Sequence, residues 1–117
     1  YFAVIGYSGT PTLRKTSMHI QIINFNLDGI GRSEYDQVCD DLAQTFADVH
    51  GLISKHWLAN DGTNTYGGVY VWESKDAYEA FIASELFAAV GGNPALANVS
   101  SLDFDVIEAP TRITRGM

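Results

Sequence analysis

Positive charge is scarce in this sequence. Its 117 residues carry seven Lys and Arg against fourteen Asp and Glu, a formal net charge of −7. The seven are scattered, so no basic stripe is available to neutralise phosphates. Nucleic acid is excluded as a partner on that ground, and so are anionic membrane surfaces. Cysteine is scarcer still. Cys39 stands alone, which rules out an internal disulfide and points to a reducing, cytoplasmic setting. No apolar run approaches the roughly 18 residues of a membrane span. Tyr1 to Tyr7 is apolar but lacks the basic leader of a secretory signal. Gly29-Ile30-Gly31 has no third glycine and runs into a polar turn, so no nucleotide loop is expected. His19, His50 and His56 fall in different elements, and Asp103 and Asp105 read as a solvated strand edge. No metal and no other cofactor is expected.

What is present is the composition of one globular domain, with 46% hydrophobic and 18% charged residues. The first seventeen residues are read as an N-terminal arm docked on a partner subunit or on a sheet edge, and residues 18–117 as a single domain. His19 to Leu27 alternates as a strand, with Ile20, Ile22, Asn24 and Asn26 on one face and Gln21, Ile23, Phe25 and Leu27 on the other. Ser33 is placed as the N-cap of a helix whose apolar stripe is Tyr35, Val38, Cys39, Leu42, Phe46 and Val49, ending at Gly51. Leu52 to Asn60 is a second strand, with Ile53, Lys55, Trp57 and Ala59 opposing Ser54, His56 and Leu58. A hairpin loop leads to a third strand, Tyr66 to Glu73. Ser74 caps a second helix carrying Ala77, Tyr78, Phe81, Ile82 and Leu86. Leu102 to Ala109 is a fourth strand, ended by Pro110 and followed by a polar tail.

The order β-α-β-β-α-β predicts an α+β, ferredoxin-like sandwich, a four-stranded antiparallel sheet with both helices on one face. The Asn-bearing face of the first strand is assigned to the helices. That leaves Ile23, Phe25 and Leu27 on an open apolar face, so a homodimer closing sheet against sheet is expected.

The candidate site residues follow from those faces. Asn24 and Asn26, if buried beneath the helices, need partners: backbone or Tyr35 on one reading, a bound polar ligand on the other. Trp72, Tyr70 and Tyr66 project from the third strand toward the same space. His56 is the histidine placed for acid–base work near neutral pH. Cys39 lies in a helical stripe beside Asp40, where it reads as a small hydrophobe.

Three stretches, Gly51-Leu52-Ile53-Ser54-Lys55-His56-Trp57, Gly67-Gly68-Val69-Tyr70 and Trp72 to Phe87, resemble the YdhR-type monooxygenases of the dimeric α/β-barrel superfamily. The resemblance runs from Met18 to Arg115. It implies a homodimer with a ligand cavity in each subunit between sheet and helices. Asn24 and Trp72 resemble the first-strand asparagine and third-strand tryptophan of haem-degrading relatives. Those relatives place a histidine shortly after the Ser-x-x-Phe motif, where this chain has Ala88, Ala89, Val90 and Gly91, so no iron ligand is expected.

Two functions stay open. One is a cofactor-independent monooxygenase acting on a small aromatic quinol or phenol. In it Trp72, Tyr70, Tyr66, Asn26 and Tyr35 contact the substrate, Asn24 serves its oxygen and His56 takes its proton. The other is a non-catalytic small-molecule-binding or stress-response dimer on the same fold.

Overall fold

The computed structural model describes residues 17–117, so the arm expected at residues 1–17 lies, but for Ser17, outside the described residues. The elements are β1 (His19–Leu27), α1 (Arg32–Ala47), β2 (Leu52–Asn60), β3 (Thr65–Trp72), α2 (Lys75–Ile82), α3 (Glu85–Gly92), β4 (Leu96–Asp105) and α4 (Glu108–Ile113), with a short 3-10 turn at Asp61–Thr63 between β2 and β3. The sheet order is β2-β3-β1-β4, and every neighbouring pair is antiparallel. This is the ferredoxin-like arrangement that the element order predicts.

The helices begin where local chemistry allows. Gly31 precedes α1 in extended conformation, and the Glu34 carboxylate accepts from the Gly31 N–H, so the first turn is capped from within. Ser74 Oγ accepts from the Ala77 N–H at 3.1 Å and opens α2. The predicted second helix is broken in two. Ser84 Oγ accepts from the Phe87 N–H at 3.2 Å and caps α3, because a serine hydroxyl competes with the helix for backbone partners. β4 starts earlier than expected, since Leu96 and Ala97 pair with Leu27 and Asn26 beyond an irregularity in the ladder. The expected polar tail forms α4. Pro110 falls in its first turn, where a missing N–H leaves no helical bond unmade.

One correction governs the rest. Along β1 the residues buried beneath the helices are His19, Gln21, Ile23 and Phe25, while Ile20, Ile22, Asn24 and Asn26 face the open side. The parity was right and the assignment of faces was reversed. Directly paired residues share a face. The open face is therefore built from Ile20 with Val71 and Phe104, and Ile22 with Val69, Leu102 and His56. Leu102 and Phe104 are 59% and 49% exposed there.

Beneath the helices lies an aromatic core. Trp72 is fully buried, stacks on Tyr70 with ring centroids 6.0 Å apart, and meets Phe81 of α2 at 5.0 Å. Its indole Nε1 donates to Gln21 Oε1 at 3.1 Å, and Gln21 Nε2 donates to Ser101 Oγ at 3.0 Å. At the same end His19 Nε2 lies 2.6 Å from Asp103 Oδ2, and the Tyr78 hydroxyl donates to Asp103 Oδ1 at 3.0 Å. His19 Nδ1 is 3.0 Å from Asp105 Oδ1 but out of line for a hydrogen bond.

Replacing Gln21 by Leu should strand the buried indole N–H and cost about 1–3 kcal/mol, read as a lower midpoint in urea unfolding. An unchanged midpoint would remove the amide from its structural role.

Candidate functional site

A cavity of about 290 Å³ lies between the sheet and α1 and α3. Its walls come from the α1 stripe (Tyr35, Val38, Cys39, Leu42, Phe46), from Leu86, Ala89 and Val90 of α3, and from Phe25, Lys55, Trp57 and Tyr70 of the sheet. The helical i, i+3, i+4 spacing aims the stripe at the sheet, and strand parity sends Lys55 and Trp57 up to meet it. The lining is dominated by aromatic and aliphatic carbon, with a few polar groups, which is the usual make-up of a small-molecule pocket.

Lys55 is the exception in that wall. Its Nζ sits 3.5 Å from the Phe46 ring centroid, 3.4 Å from that of Trp57 and 4.6 Å from that of Tyr70. No carboxylate pairs with it among the described residues. Burial lowers its pKa to about 7, and the charge interaction with Cys39 opposes the shift. The ring faces also favour the ammonium form, by about 0.5–2 kcal/mol for such contacts. Amine and ammonium are therefore both accessible near neutral pH.

Gly68 makes room for this side chain. A Cβ at Gly68 would fall 2.9 Å from Lys55 Cε and 3.1 Å from the Tyr70 ring, so the bare backbone lets the lysine stem lie across β3. Its neighbour Gly67 has a φ of +149°, and a Cβ there would strike the Ile23 carbonyl oxygen. Gly68 is thus the floor on which the lysine rests, and Gly67 lets β3 close on β1.

The other titratable groups of the wall hold their protons. Burial pushes the Tyr70 hydroxyl well above the usual tyrosine range, and burial followed by hydrogen bonding to Cys39 does the same for Tyr35. Burial also raises the Cys39 thiol, against the opposing pull of Tyr35 and Lys55. Of the ionisable side chains that line the cavity among the described residues, Lys55 alone exchanges a proton near neutrality.

The residues expected from the sequence are divided by this geometry. Tyr70 and Tyr35 line the cavity. Trp72 lies deeper, beneath Tyr70, with its indole committed to Gln21. Tyr66 is buried beside Tyr35, and its hydroxyl donates to Asp61 Oδ1 at 2.6 Å. His56 is exposed on the opposite face of β2, because it alternates with Lys55 and Trp57. Asn24 is on the open face, donating weakly to the Tyr66 carbonyl at 3.4 Å. Asn26 is there too, donating to the Asn64 carbonyl at 2.7 Å and accepting from Asn98 Nδ2 at 2.8 Å. Neither asparagine reaches the cavity. The residue missed was Lys55. Its signal was in plain view, a lysine sharing strand parity with Ile53 and Trp57.

A comparison with protein families matches residues 20–117 to the family described as "Putative mono-oxygenase ydhR". The chain belongs to the ydhR mono-oxygenase family. A comparison with curated protein sequences finds no match. Among solved structures, SnoaB, a cofactor-independent oxygenase from Streptomyces nogalater, is similar at a TM-score of 0.63 and 23% identity, over 77% of this chain and 93% of that one. A putative antibiotic biosynthesis monooxygenase from Caulobacter crescentus CB15 gives a TM-score of 0.63 at 20% identity, over 83% and 96%. The haem degrader MhuD from Mycobacterium tuberculosis gives 0.61 at 24% identity, over 76% and 95%. At these identities the likeness is one of fold. Among the described residues no histidine lines the cavity, and Ala88 to Gly91 of α3 carry no iron-ligating side chain. No helix among the described residues is long and apolar enough to cross a membrane.

The half-buried lysine has a thermodynamic consequence. Its folded-state pKa lies below that of the unfolded chain, so between about pH 7 and the ordinary lysine value the unfolded chain holds a proton that the folded protein has released. Stability should therefore rise as pH increases across that window. Lys55→Met should abolish that rise and stabilise the protein below pH 7 by on the order of 2–4 kcal/mol, read by denaturant unfolding at several pH values.

Proposed function

We propose that this ydhR-family protein is a cofactor-independent monooxygenase of small phenolic or quinolic aromatics, with Lys55 rather than His56 as the proton acceptor. The observation that carries this reading is the Lys55 amine, the one cation among the described residues that line a largely apolar, aromatic-walled cavity. A phenol entering it stacks against Trp57, Phe46 and Tyr70, and presents its hydroxyl to the amine. Lys55 takes the proton and, as ammonium, holds the phenolate beside it. The electron-rich anion transfers an electron to dioxygen. The caged radicals combine to form a carbon–oxygen bond, and the hydroperoxide expels water, so one oxygen atom stays on the ring. The protein supplies binding, exclusion of water, a base and a counter-charge. Tyr35 and Tyr70 keep their protons and can donate to the developing oxyanion. Asn24 and Asn26, on the far face of the sheet, take no part in this scheme, and Trp72 and Tyr66 support the wall from behind.

Oxygen uptake with a panel of quinols and naphthols in metal-free buffer tests the reading. kcat/KM should rise with pH through about 7, following the free amine. Lys55→Met should lower it by about 10²–10⁴-fold. Ligand binding without uptake across the panel would instead leave the non-catalytic binding dimer.

We also propose the homodimer, now on the corrected face. Ile20, Ile22, Val69, Val71, Leu102 and Phe104 form an apolar surface that the helices packed on the other side cannot cover. Sedimentation at micromolar concentration should show twice the 12.8 kDa chain mass. Phe104→Asp should shift the species toward monomer, and a monomeric wild-type protein would end the proposal.

A further inference from the structure

We infer that the cavity is also a carbonyl-trapping site, in which Lys55 condenses with a small aromatic aldehyde or ketone to form an imine. Three features of the site carry this. Among the described residues no carboxylate pairs with the amine, and its neighbours are ring faces, so no ion pair there withholds its lone pair. It lines a cavity of about 290 Å³ whose aromatic walls suit a flat ring, so a bound carbonyl compound is held against it at high effective concentration. The hydroxyl of Tyr70, a residue only 3% exposed on the same wall, has no hydrogen-bond partner among the described residues and stands as a donor for a carbonyl oxygen. Desolvation, which keeps part of the lysine unprotonated near neutral pH, makes the amine nucleophilic where an ordinary lysine is not.

The condensation balances without a redox partner. The amine lone pair forms a bond to the carbonyl carbon while the carbon–oxygen π pair moves to oxygen, which takes a proton. The nitrogen then loses one proton, and the new hydroxyl takes up a second and leaves as water with the carbon–oxygen bonding pair, while the nitrogen lone pair forms the second bond to carbon and the nitrogen gives up its remaining proton. A carbon–nitrogen double bond remains. In a site poor in water the reverse hydrolysis is slowed, so the adduct persists longer than it would on a surface lysine.

The sequence makes the test clean, because it holds only three lysines, Lys15, Lys55 and Lys75. The folded protein is incubated with benzaldehyde and sodium cyanoborohydride, which reduces any imine to a stable benzyl amine, and is then mapped by peptide mass spectrometry. At pH 7 Lys55 should be labelled at least tenfold faster than Lys75. The preference should vanish when the same reaction is run in denaturing urea, and Lys55→Arg should remove the fast-labelling site while keeping a cation in place. Labelling of Lys55 no faster than Lys75 in the folded protein overturns the inference, as does a preference that survives unfolding. The assay needs no turnover. Oxygen uptake without Lys55 labelling would therefore sink the imine alone, and labelling without oxygen uptake would sink the oxygenase reading alone.

Discussion

One buried amide joins three strands. Gln21, near the start of β1, accepts from the Trp72 indole of β3 and donates to the Ser101 hydroxyl of β4. With no exposure to water it cannot trade those bonds for hydration, so the face of β1 that carries it is held beneath the helices. Trp72 in turn supports Tyr70 by stacking and α2 through Phe81. The wall of the cavity is thus anchored from below, through aromatic contacts that begin at one satisfied amide.

On that foundation the molecule keeps a feature that works against its own stability. An ammonium group in an apolar wall loses hydration that ring faces only partly replace. A methionine of similar length would pack there without that cost. Keeping lysine is intelligible if the group has chemistry to perform, since strained or poorly solvated groups gather where function requires them. The Gly67–Gly68 pair belongs to the same account. β3 gives up two side chains in a buried stretch, and the space is taken by the lysine stem and by close approach to β1. The strand's deficit is what lets the cavity hold an amine at all.

Much of the architecture was legible from periodicity and punctuation. β1 and β2 have the predicted limits, the α1 stripe packs as its spacing requires, and Ser74 caps α2 as expected. Boundaries failed where two signals competed. Ser84 was read as the interior of a helix, but its hydroxyl made it the start of another. Leu96 and Ala97 fell in a stretch opened by Gly and Pro, yet they complete the edge of the sheet against β1. Lys55 was visible on an apolar strand face, but a lysine's ordinary place is in water, and its own neighbour His56 drew attention as the familiar acid–base residue.

The sequence by itself determined the limits of β1 and β2, the alternation along β1 and the lack of any basic stripe, because these depend on local spacing and on composition. It also carried the family resemblance. Which parity class lies beneath the helices was decided only in three dimensions. Both faces of β1 are apolar, each carries polar groups, and alternation treats them alike. Docking of α1 and α2 broke that symmetry by choosing the face whose amide could be satisfied on both sides. That choice turned Asn24 and His56 outward and Lys55 inward, because adjacent residues of a strand cannot share a face.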